Sequence, residues 1–417
     1  MISFLSGFPG KEELQEKLRG VALPHYRETN CHIHTPYSFS SFPDLETLFE
    51  MALKENIDVL GINDFYVTDG YNTFCESSLR NRIFPLFNLE FIGLMKKEQR
   101  KGIRINDPNN PGRIYFCGKG LDYPFHTGWY QKKQLDRVIA ESQNQIRAMV
   151  TKLNSLIGSV NPSLSLTYEH VKDRYAREFV RERHLARALR MLAREEYRDE
   201  SMQFIESLYG GKKSRAGSDD PALLENEIRS NLLKSGGPAF VEEDEDSFLP
   251  LTAINEIILK AGGIPCYPVL LDDPSGNYTE FEADPDQLYA SLTTLGTGCI
   301  ELIPGRNDPA ELRSFVEYFH DKGFIITFGT EHNTPELAPL TVTSRGRKPL
   351  DDYLKGIAWE GACVIAAHQY LRANNHEGYV SPFGIPKSSE REEFAETGRL
   401  VIEYFLNNTF QPDETRN

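Results

Sequence analysis

Short apolar segments alternate with amphipathic ones along the first 118 residues. Residues 28–34 have the composition of a strand, and apolar residues at helical spacing follow them. Apolar runs at 57–64, 82–90 and 113–117 predict three further strands. Because strand and helix repeat in turn, the pattern predicts a parallel sheet or a barrel.

A helical pattern replaces this alternation from about residue 131. It predicts helices within 135–157, 168–198 and 221–233, the last with Asp220 as its N-cap and a proline in its first turn. The earlier alternation then resumes, with a helix at 249–260, strands at 264–270, 298–303 and 324–329, and closing helices at 351–372 and 391–406. The chain is therefore predicted to be an α/β domain interrupted by a helical insertion.

The composition narrows the class of protein. A net charge of −15 and a pI near 5.3 argue against a nucleic-acid-binding scaffold, which needs a surplus of basic side chains. The apolar runs are shorter than a membrane span, and the first ten residues lack the features of a signal peptide. The six cysteines form no Cys-x-x-Cys pair, which favours a reducing compartment. We expect a cytoplasmic protein without nucleic-acid or membrane partners, and the sequence leaves its oligomeric state open.

Two histidines one residue apart are the clearest sign of chemistry. His32 and His34 lie in the predicted strand 28–34, and alternate side chains of a strand share a face, about 6–7 Å apart at the backbone. That spacing lets two imidazoles converge on one metal ion. A helix follows, so the pair lies at the carboxyl end of a strand, where α/β barrels place their sites. The alternative is a pair of satisfied polar residues in a loop.

Carboxylates accompany several of the other predicted strands. Asp64 and Glu90 end the second and third strands, Glu301 lies inside a later strand, and Glu331 and His332 follow the last one. Ligands gathered from strand ends, with one position left for water, are what a hydrolytic metal site needs. Each carboxylate alone is typical of a surface or capping residue, but together with the histidine pair they predict a metal site.

The order of these motifs resembles the polymerase-and-histidinol-phosphatase (PHP) superfamily of metal-dependent phosphoesterases. Glu90 matches the third-strand glutamate of that family. The family's opening, second-strand and closing motifs are similar to residues 31–38 (CHIHTPYS), 63–65 (NDF) and 329–333 (GTEHN). The insertion and the segment that follows it resemble a branch of nucleoside-monophosphate phosphatases. The similar residues are 183–186 (RHLA), 237–241 (GPAFV) and 261–268 (AGGIPCYP).

The resemblance spans roughly residues 28 to 335 and implies a distorted (β/α)7 barrel that holds two or three ions, often Mn, Fe or Zn. On this basis we predict a discontinuous PHP-like barrel formed by residues 1–128 and 248–345. Residues 129–247 form the helical insertion, and residues 346–417 form C-terminal helices that pack on the barrel.

This chain departs from the family motifs at several ligand positions. The positions of family ligands are taken by Phe39, Phe65, Tyr115, Tyr267 and Asn333, and the closing aspartate is Glu331. A cluster of ions therefore lacks its usual ligands. The remaining residues imply one divalent transition-metal ion (Zn, Mn or Fe), held by His32, His34, Glu90 and Glu331, with His332 as a fifth candidate ligand.

Further candidates follow from the same resemblance. Asp64 is a candidate catalytic residue, either as a ligand or by orienting a histidine. Tyr267 is a candidate proton donor in place of the lost histidine, with core packing as the alternative. Arg183 and His184 match the family's substrate-side helix, and Arg306 follows a strand, so these three are candidate substrate-binding residues. A surface arginine is the alternative for Arg183.

The sequence therefore predicts a metal-dependent hydrolase, and specifically a phosphoesterase that acts on a small phosphorylated metabolite. Its partner is expected to be a small anionic substrate. Two alternatives stay open. One is a metal-dependent lyase, isomerase or non-phosphate hydrolase that acts on a sugar-acid-like compound. The other is a non-catalytic binding protein on a decayed barrel.

Overall fold

Seven strands form one sheet in chain order within residues 3–407, the part of the chain that the computed structural model describes. They are β1 (Thr29–Ile33), β2 (Val59–Phe65), β3 (Phe84–Leu94), β4 (Arg113–Lys119), β5 (Ile264–Val269), β6 (Cys299–Leu302) and β7 (Ile325–Phe328). The edges β1 and β7 meet where the His34 amide donates to the Glu331 carbonyl over 2.8 Å. The sheet is therefore a nearly closed barrel, and the predicted fold class, a distorted (β/α)7 barrel, is confirmed.

Helices flank these strands. They are α1 (Lys11–Lys17), α2 (Leu45–Lys54), α3 (Tyr71–Asn81), α4 (Lys96–Arg100), α5 (Trp129–Val160), α6 (Tyr168–Tyr175), α7 (Glu182–Tyr197), α8 (Ser201–Leu208), α9 (Pro221–Ile228), α10 (Leu251–Lys260), α11 (Pro285–Thr294), α12 (Pro309–Asp321), α13 (Asp352–Ala373) and α14 (Arg391–Asn407). Two short strands, β8 (Thr343–Ser344) and β9 (Lys348–Pro349), pair with each other after β7. In the described part of the chain, no helix is long and apolar enough to cross a membrane.

Strand β4 differs from the parallel arrangement that the sequence pattern predicts. It is antiparallel to both β3 and β5, whereas β1 to β3 and β5 to β7 are parallel. After α4 the chain folds back, and the Met95 amide donates to the Gly112 carbonyl over 2.8 Å, which extends the β3–β4 ladder into a wide hairpin. The chain therefore makes no crossover to the far end of the barrel. As a result, Tyr115 pairs with Ile92 near the end of β3, and Lys119 lies deeper in the barrel.

Helix α13 packs closely against the barrel. A Cβ atom on Gly361 would stand 2.0 Å from the carbonyl oxygen of Ile326 in β7, so only glycine allows this approach. Residues of α13 share one apolar cluster with the residues that begin five strands, namely Val59, Phe84, Ile264, Cys299 and Ile325. Helix α13 therefore closes the end of the barrel where the parallel strands begin, and leaves the other end to the site.

The helices between β4 and β5 have an apolar cluster of their own, which α5 to α9 share. The helix predicted over 168–198 is two helices, α6 and α7, with Arg181 as the N-cap of α7. Helix α9 begins after Asp220, whose side chain accepts from the Leu223 amide, as predicted. It continues as a π-helical turn from Arg229 to Leu233.

The predicted division of the chain into barrel, insertion and C-terminal helices includes residues 1–2 and 408–417. These residues lie outside the part of the chain that the structure describes.

Candidate metal and substrate site

Three side chains converge at the end of the barrel where the parallel strands finish. The Nε2 atoms of His32, in β1, and His34, just after it, are 3.2 Å apart. Glu90 Oε2, from β3, lies 3.1 Å from His34 Nε2 and 3.6 Å from His32 Nε2. A tetrahedral ion bound at about 2.0–2.1 Å separates its ligands by about 3.3 Å. The three atoms therefore have the spacing of ligands to a single ion.

The state of Glu90 also fits a cation. Its Oε2 atom is buried and accepts no hydrogen bond of good geometry from the described residues, although two imidazoles stand close to it. A buried carboxylate oxygen without such a partner is rare in native structures. Burial raises the pKa of Glu90, but His32 and His34 outweigh this effect and hold its pKa well below the usual range. An anionic oxygen beside two imidazole nitrogens is a donor set that suits Zn, Mn or Fe.

A buried chain of charges lies behind His32. Glu301 Oε2 is 2.6 Å from His32 Nδ1, and Oε1 of the same carboxylate accepts from the Lys119 ammonium. Burial lowers the pKa of His32, but Glu301 and Glu90 outweigh it and raise the pKa to about 9. Because Glu301 engages Nδ1, the Nε2 atom of His32 is the one directed at Glu90 and His34. This is the arrangement in which a carboxylate orients a metal-ligating histidine.

Asp64 supports the loop that carries His34. It accepts from the Thr35 amide at 2.7 Å and from the hydroxyls of Thr35 and Ser38 at 2.5 Å each. The Ser38 hydroxyl in turn lies 3.4 Å from His34 Nδ1. Burial raises the pKa of Asp64. Asp64 therefore holds Thr35 and Ser38 beside His34, and its role as a catalytic residue stays a prediction.

Glu90 also lies on the wall of a cavity of about 280 Å³. Four arginines line this cavity: Arg181, Arg183, Arg229 and Arg306. Glu182 is the acidic partner of two of them, since it lies 3.7 Å from Arg181 and 2.7 Å from Arg229. Burial and the neighbouring Arg229 lower the pKa of Arg183 to about 10. The cavity therefore holds more positive than negative charge, although the whole chain is acidic.

Aromatic rings support these arginines. The Arg181 guanidinium lies 4.4 Å from the centre of the Phe65 ring, and the Arg183 guanidinium lies 5.6 Å from that of Phe39. Both distances are in the range of cation–π contacts. Phe39 and Phe65 stand at two positions where the sequence resemblance would place metal ligands. In the structure their rings contact cationic side chains.

The other candidate ligands have partners within the chain. Glu331 lines the same cavity, but its carboxylate binds Arg306 and lies 2.9 Å from the Asn333 amide nitrogen. Among the described residues, the Glu331 carboxylate is outside the group of donors that lie within 4.8 Å of one another. His332 has both ring nitrogens engaged, at 2.8 Å from Thr330 Oγ1 and 2.7 Å from the Ala338 carbonyl oxygen. The structure therefore does not bring His332 to the His32–His34–Glu90 group.

Two further candidates lie away from the cavity. The Tyr267 hydroxyl donates to Glu282 at 2.8 Å, and its ring packs in the apolar cluster on the outer face of the barrel, whereas the next residue, Pro268, lines the cavity. His184 is buried, and its Nδ1 accepts from the Arg181 amide at 2.9 Å. Burial and nearby arginines hold the pKa of His184 well below its usual range, as a neutral acceptor requires. His184 thus holds Arg181 at the start of α7.

Three residues of the site were not among the sequence candidates. Arg181 lies two positions before Arg183 at the start of α7. The segment around it contains many arginines, as a solvent-exposed helix does, so the sequence did not distinguish Arg181 from its neighbours. Arg229 comes from the π-helical turn after α9, which frequently marks a functional position but has no clear sequence signal. Lys119 reaches Glu301 because β4 is antiparallel, which the pattern did not predict.

No family model matches this chain, and no curated protein matches it. Its fold is similar to those of solved structures. One is a proposed metal-dependent phosphoesterase from Bifidobacterium adolescentis, with a TM-score of 0.50, 15% identity, and coverage of 81% of this chain and 96% of that one. Another is an amidohydrolase from Chromobacterium violaceum with bound sulfate and no metal, with a TM-score of 0.51, 13% identity, and coverage of 78% and 94%. Likeness at such identity concerns the fold.

Proposed function

We propose that this protein is a metal-dependent hydrolase, and that its substrate is a phosphate ester of a small metabolite. The observation that carries the proposal is the position of Glu90, which belongs both to the three-donor group and to the wall of the arginine-lined cavity. A cation held by His32, His34 and Glu90 would therefore border the space in which an anionic substrate binds. The described functions of the two structural neighbours, a phosphoesterase and an amidohydrolase, support the hydrolytic class.

When bound, a divalent cation at this position supplies Lewis acidity, which polarises a phosphoryl oxygen and makes water more acidic. Guanidinium groups bind phosphate oxygens through paired, charge-assisted hydrogen bonds. Arg181 and Arg183 would hold the phosphoryl group on the side of the helical insertion, and Arg306 on the side of the barrel. Phe39 and Phe65 supply apolar parts of the wall of this cavity, beside the guanidinium groups.

The arginines favour a phosphate ester over a neutral amide. A cavity with surplus guanidinium groups has little to bind on an uncharged substrate, whereas a phosphomonoester carries up to two negative charges. The same surplus of positive charge would also bind the carboxylate of a sugar acid, the substrate in one of the two alternatives from the sequence. We prefer a phosphate ester as the substrate because the planar guanidinium group matches the geometry of phosphate and because several guanidinium groups converge on one cavity.

The test combines metal analysis with matched substrates. The full-length protein, purified without chelators, should contain about one equivalent of transition metal. It should release p-nitrophenol from p-nitrophenyl phosphate faster than from p-nitrophenyl acetate, which has the same leaving group without the charge. His34→Ala should lose both the metal and the turnover, whereas His25→Ala, which changes an exposed histidine, should keep both.

Three different outcomes would count against the metal centre, the phosphate-ester substrate and the catalytic role of the site. Absence of bound metal in the wild-type protein, before and after incubation with Zn²⁺, Mn²⁺ or Fe²⁺, would overturn the metal centre. Bound metal with hydrolysis of p-nitroacetanilide and none of the phosphate ester would replace the phosphoesterase by an amide hydrolase. Bound metal and unchanged turnover in His34→Ala would remove the catalytic role of the site.

A further inference from the structure

A second group of potential metal donors adjoins the first one. His32, Cys117 and Glu301 each offer a donor atom, and these atoms lie within 4.8 Å of one another. The Cys117 sulfur lies 3.9 Å from Glu301 Oε2, which is itself 2.6 Å from His32 Nδ1. All three side chains are buried. Nitrogen, sulfur and oxygen donors at such distances would suit a transition-metal ion.

A lysine already supplies a cation to this second group. The Lys119 ammonium binds Oε1 of Glu301, the oxygen that His32 leaves free. It also lies 3.3 Å from the carbonyl oxygen of Cys31 and 3.4 Å from Oδ1 of Asn63. An ammonium has three hydrogens to donate, and these three acceptors match that number. Lys119 is therefore a fully buried cation whose partners hold it in one place.

The charge balance shows what Lys119 does for the carboxylate. A buried carboxylate is stable only when a cation and hydrogen bonds compensate for the loss of water. Glu301 receives that compensation from Lys119 at Oε1, and its other oxygen, Oε2, faces His32 Nδ1. A metal ion added to the second group would meet the fixed positive charge of Lys119 across the same carboxylate, where the low dielectric of the barrel interior makes repulsion strong.

Resting on the proposed metal function, we infer that Lys119 is the resident second cation of this centre. It fixes Glu301 as the positioning residue of His32, and it keeps a second metal ion out of the group formed by His32, Cys117 and Glu301. The centre is therefore mononuclear because strand β4 places an ammonium where another ion would bind. Lys119 is a positioning residue, since it acts on the metal ligand His32 through Glu301.

The inference can be tested with Co²⁺, whose absorption reports its ligands. The metal-stripped full-length protein is titrated with Co²⁺ by equilibrium dialysis and by absorption spectroscopy. Wild-type protein should bind one equivalent without a thiolate-to-cobalt charge-transfer band. Lys119→Ala should bind a second equivalent and gain that band from Cys117. Lys119→Arg, which keeps the charge, should resemble the wild type, and Lys119→Ala/Cys117→Ser should lose the band.

The inference about Lys119 can be overturned by the wild-type protein as well as by either Lys119 variant. Two equivalents of Co²⁺ in the wild type would overturn the inference directly. So would a folded Lys119→Ala protein that binds one equivalent without the charge-transfer band. If Lys119→Ala does not fold, Lys119→Met, which preserves the side-chain volume, takes its place with the same two expectations. One equivalent in every protein counts against this inference alone, whereas no bound ion in the wild type counts against the proposed function as well.

Discussion

The ring of Phe65 stacks on the ring of His34, with centroids 4.7 Å apart and an angle of 19° between the planes. His34 is a proposed metal ligand, and the Phe65 ring holds the imidazole against one face. The Arg181 guanidinium also lies over Phe65, which links the His34 imidazole to the cavity. Phe65 therefore contacts both the proposed metal site and an arginine of the cavity.

The first prediction concerns this stack. Phe65→Ala removes the ring that holds the His34 imidazole in place, and loss of such support typically lowers metal affinity about 10-fold to 100-fold. Isothermal titration with Zn²⁺ measures the change. Phe74→Ala is the matched control, since Phe74 is fully buried and its ring packs against Phe49 of α2 and Phe87 of β3. Both variants should lose about 3–5 kcal/mol of stability. Equal Zn²⁺ affinities in the two variants would refute the supporting role.

The second prediction concerns Arg183. Removal of one guanidinium from a substrate phosphate costs about 1.5–3 kcal/mol, so Arg183→Ala should raise KM for p-nitrophenyl phosphate roughly 10-fold to 100-fold. The thermal midpoint should stay the same or rise, because burial and Arg229 already lower the pKa of Arg183 and its removal relieves repulsion. Steady-state kinetics and a thermal melt measure the two effects.

An exposed arginine in the same insertion provides the control for that variant. The Arg215 side chain is 90% exposed, so Arg215→Ala should leave KM unchanged. If Arg183→Ala lowers the thermal midpoint and leaves KM as it was, Arg183 is a structural residue of the insertion. If it changes neither quantity, Arg183 is the surface arginine that the sequence analysis gave as the alternative.

The third prediction follows from Glu282, which accepts from the Tyr267 hydroxyl and from the amides of Leu270 and Leu271. Burial raises its pKa to about 7. The unfolded chain loses this proton near pH 4.3, so between about pH 4 and 7 the folded state binds the proton that the unfolded state has lost. Stability should therefore fall by up to about 3 kcal/mol as pH rises through this window.

Glu282→Gln should remove that pH dependence. The difference between the urea midpoints at pH 5 and pH 8 should be smaller in the variant than in the wild type. Glu280→Gln is the control, because Arg104 lowers the pKa of Glu280 to about 2 and its titration lies below the window. An unchanged midpoint difference in Glu282→Gln would show that this carboxyl is ionised throughout the range.

The fourth prediction concerns the stability of the buried pair Lys119–Glu301. Lys119→Met leaves the Glu301 carboxylate without its main cation and should cost about 3–5 kcal/mol of unfolding free energy. The double variant Lys119→Met/Glu301→Gln removes both charges and should recover most of that loss. Urea unfolding of the metal-free proteins measures both values. A double variant less stable than Lys119→Met would contradict the idea that an unpaired charge is the cause.

Much of the fold could be predicted because it depends on local patterns. Buried strands are short apolar runs, and amphipathic helices have a period of 3.6 residues. Six of the seven barrel strands run in the predicted direction. The direction of β4 could not be predicted, since it depends on the hairpin contact between Met95 and Gly112. The break between α6 and α7 was also missed, because apolar spacing continues through it.

The sequence by itself determined the alternation of strands and helices, which left a parallel sheet or a barrel open. It also determined the approach of His32 to His34, because alternation along one strand places both imidazoles on one face. The tertiary structure alone decided which distant groups meet them. Glu90 meets the pair, as the resemblance implied, but Glu331 pairs with Arg306 and Tyr267 with Glu282. The arginines of the insertion meet around the cavity. The tertiary structure also placed Lys119 beside Glu301. The physical reason is that side-chain period is a property of one segment, whereas charge pairing in a barrel depends on strand direction and on loops that join remote parts of the chain.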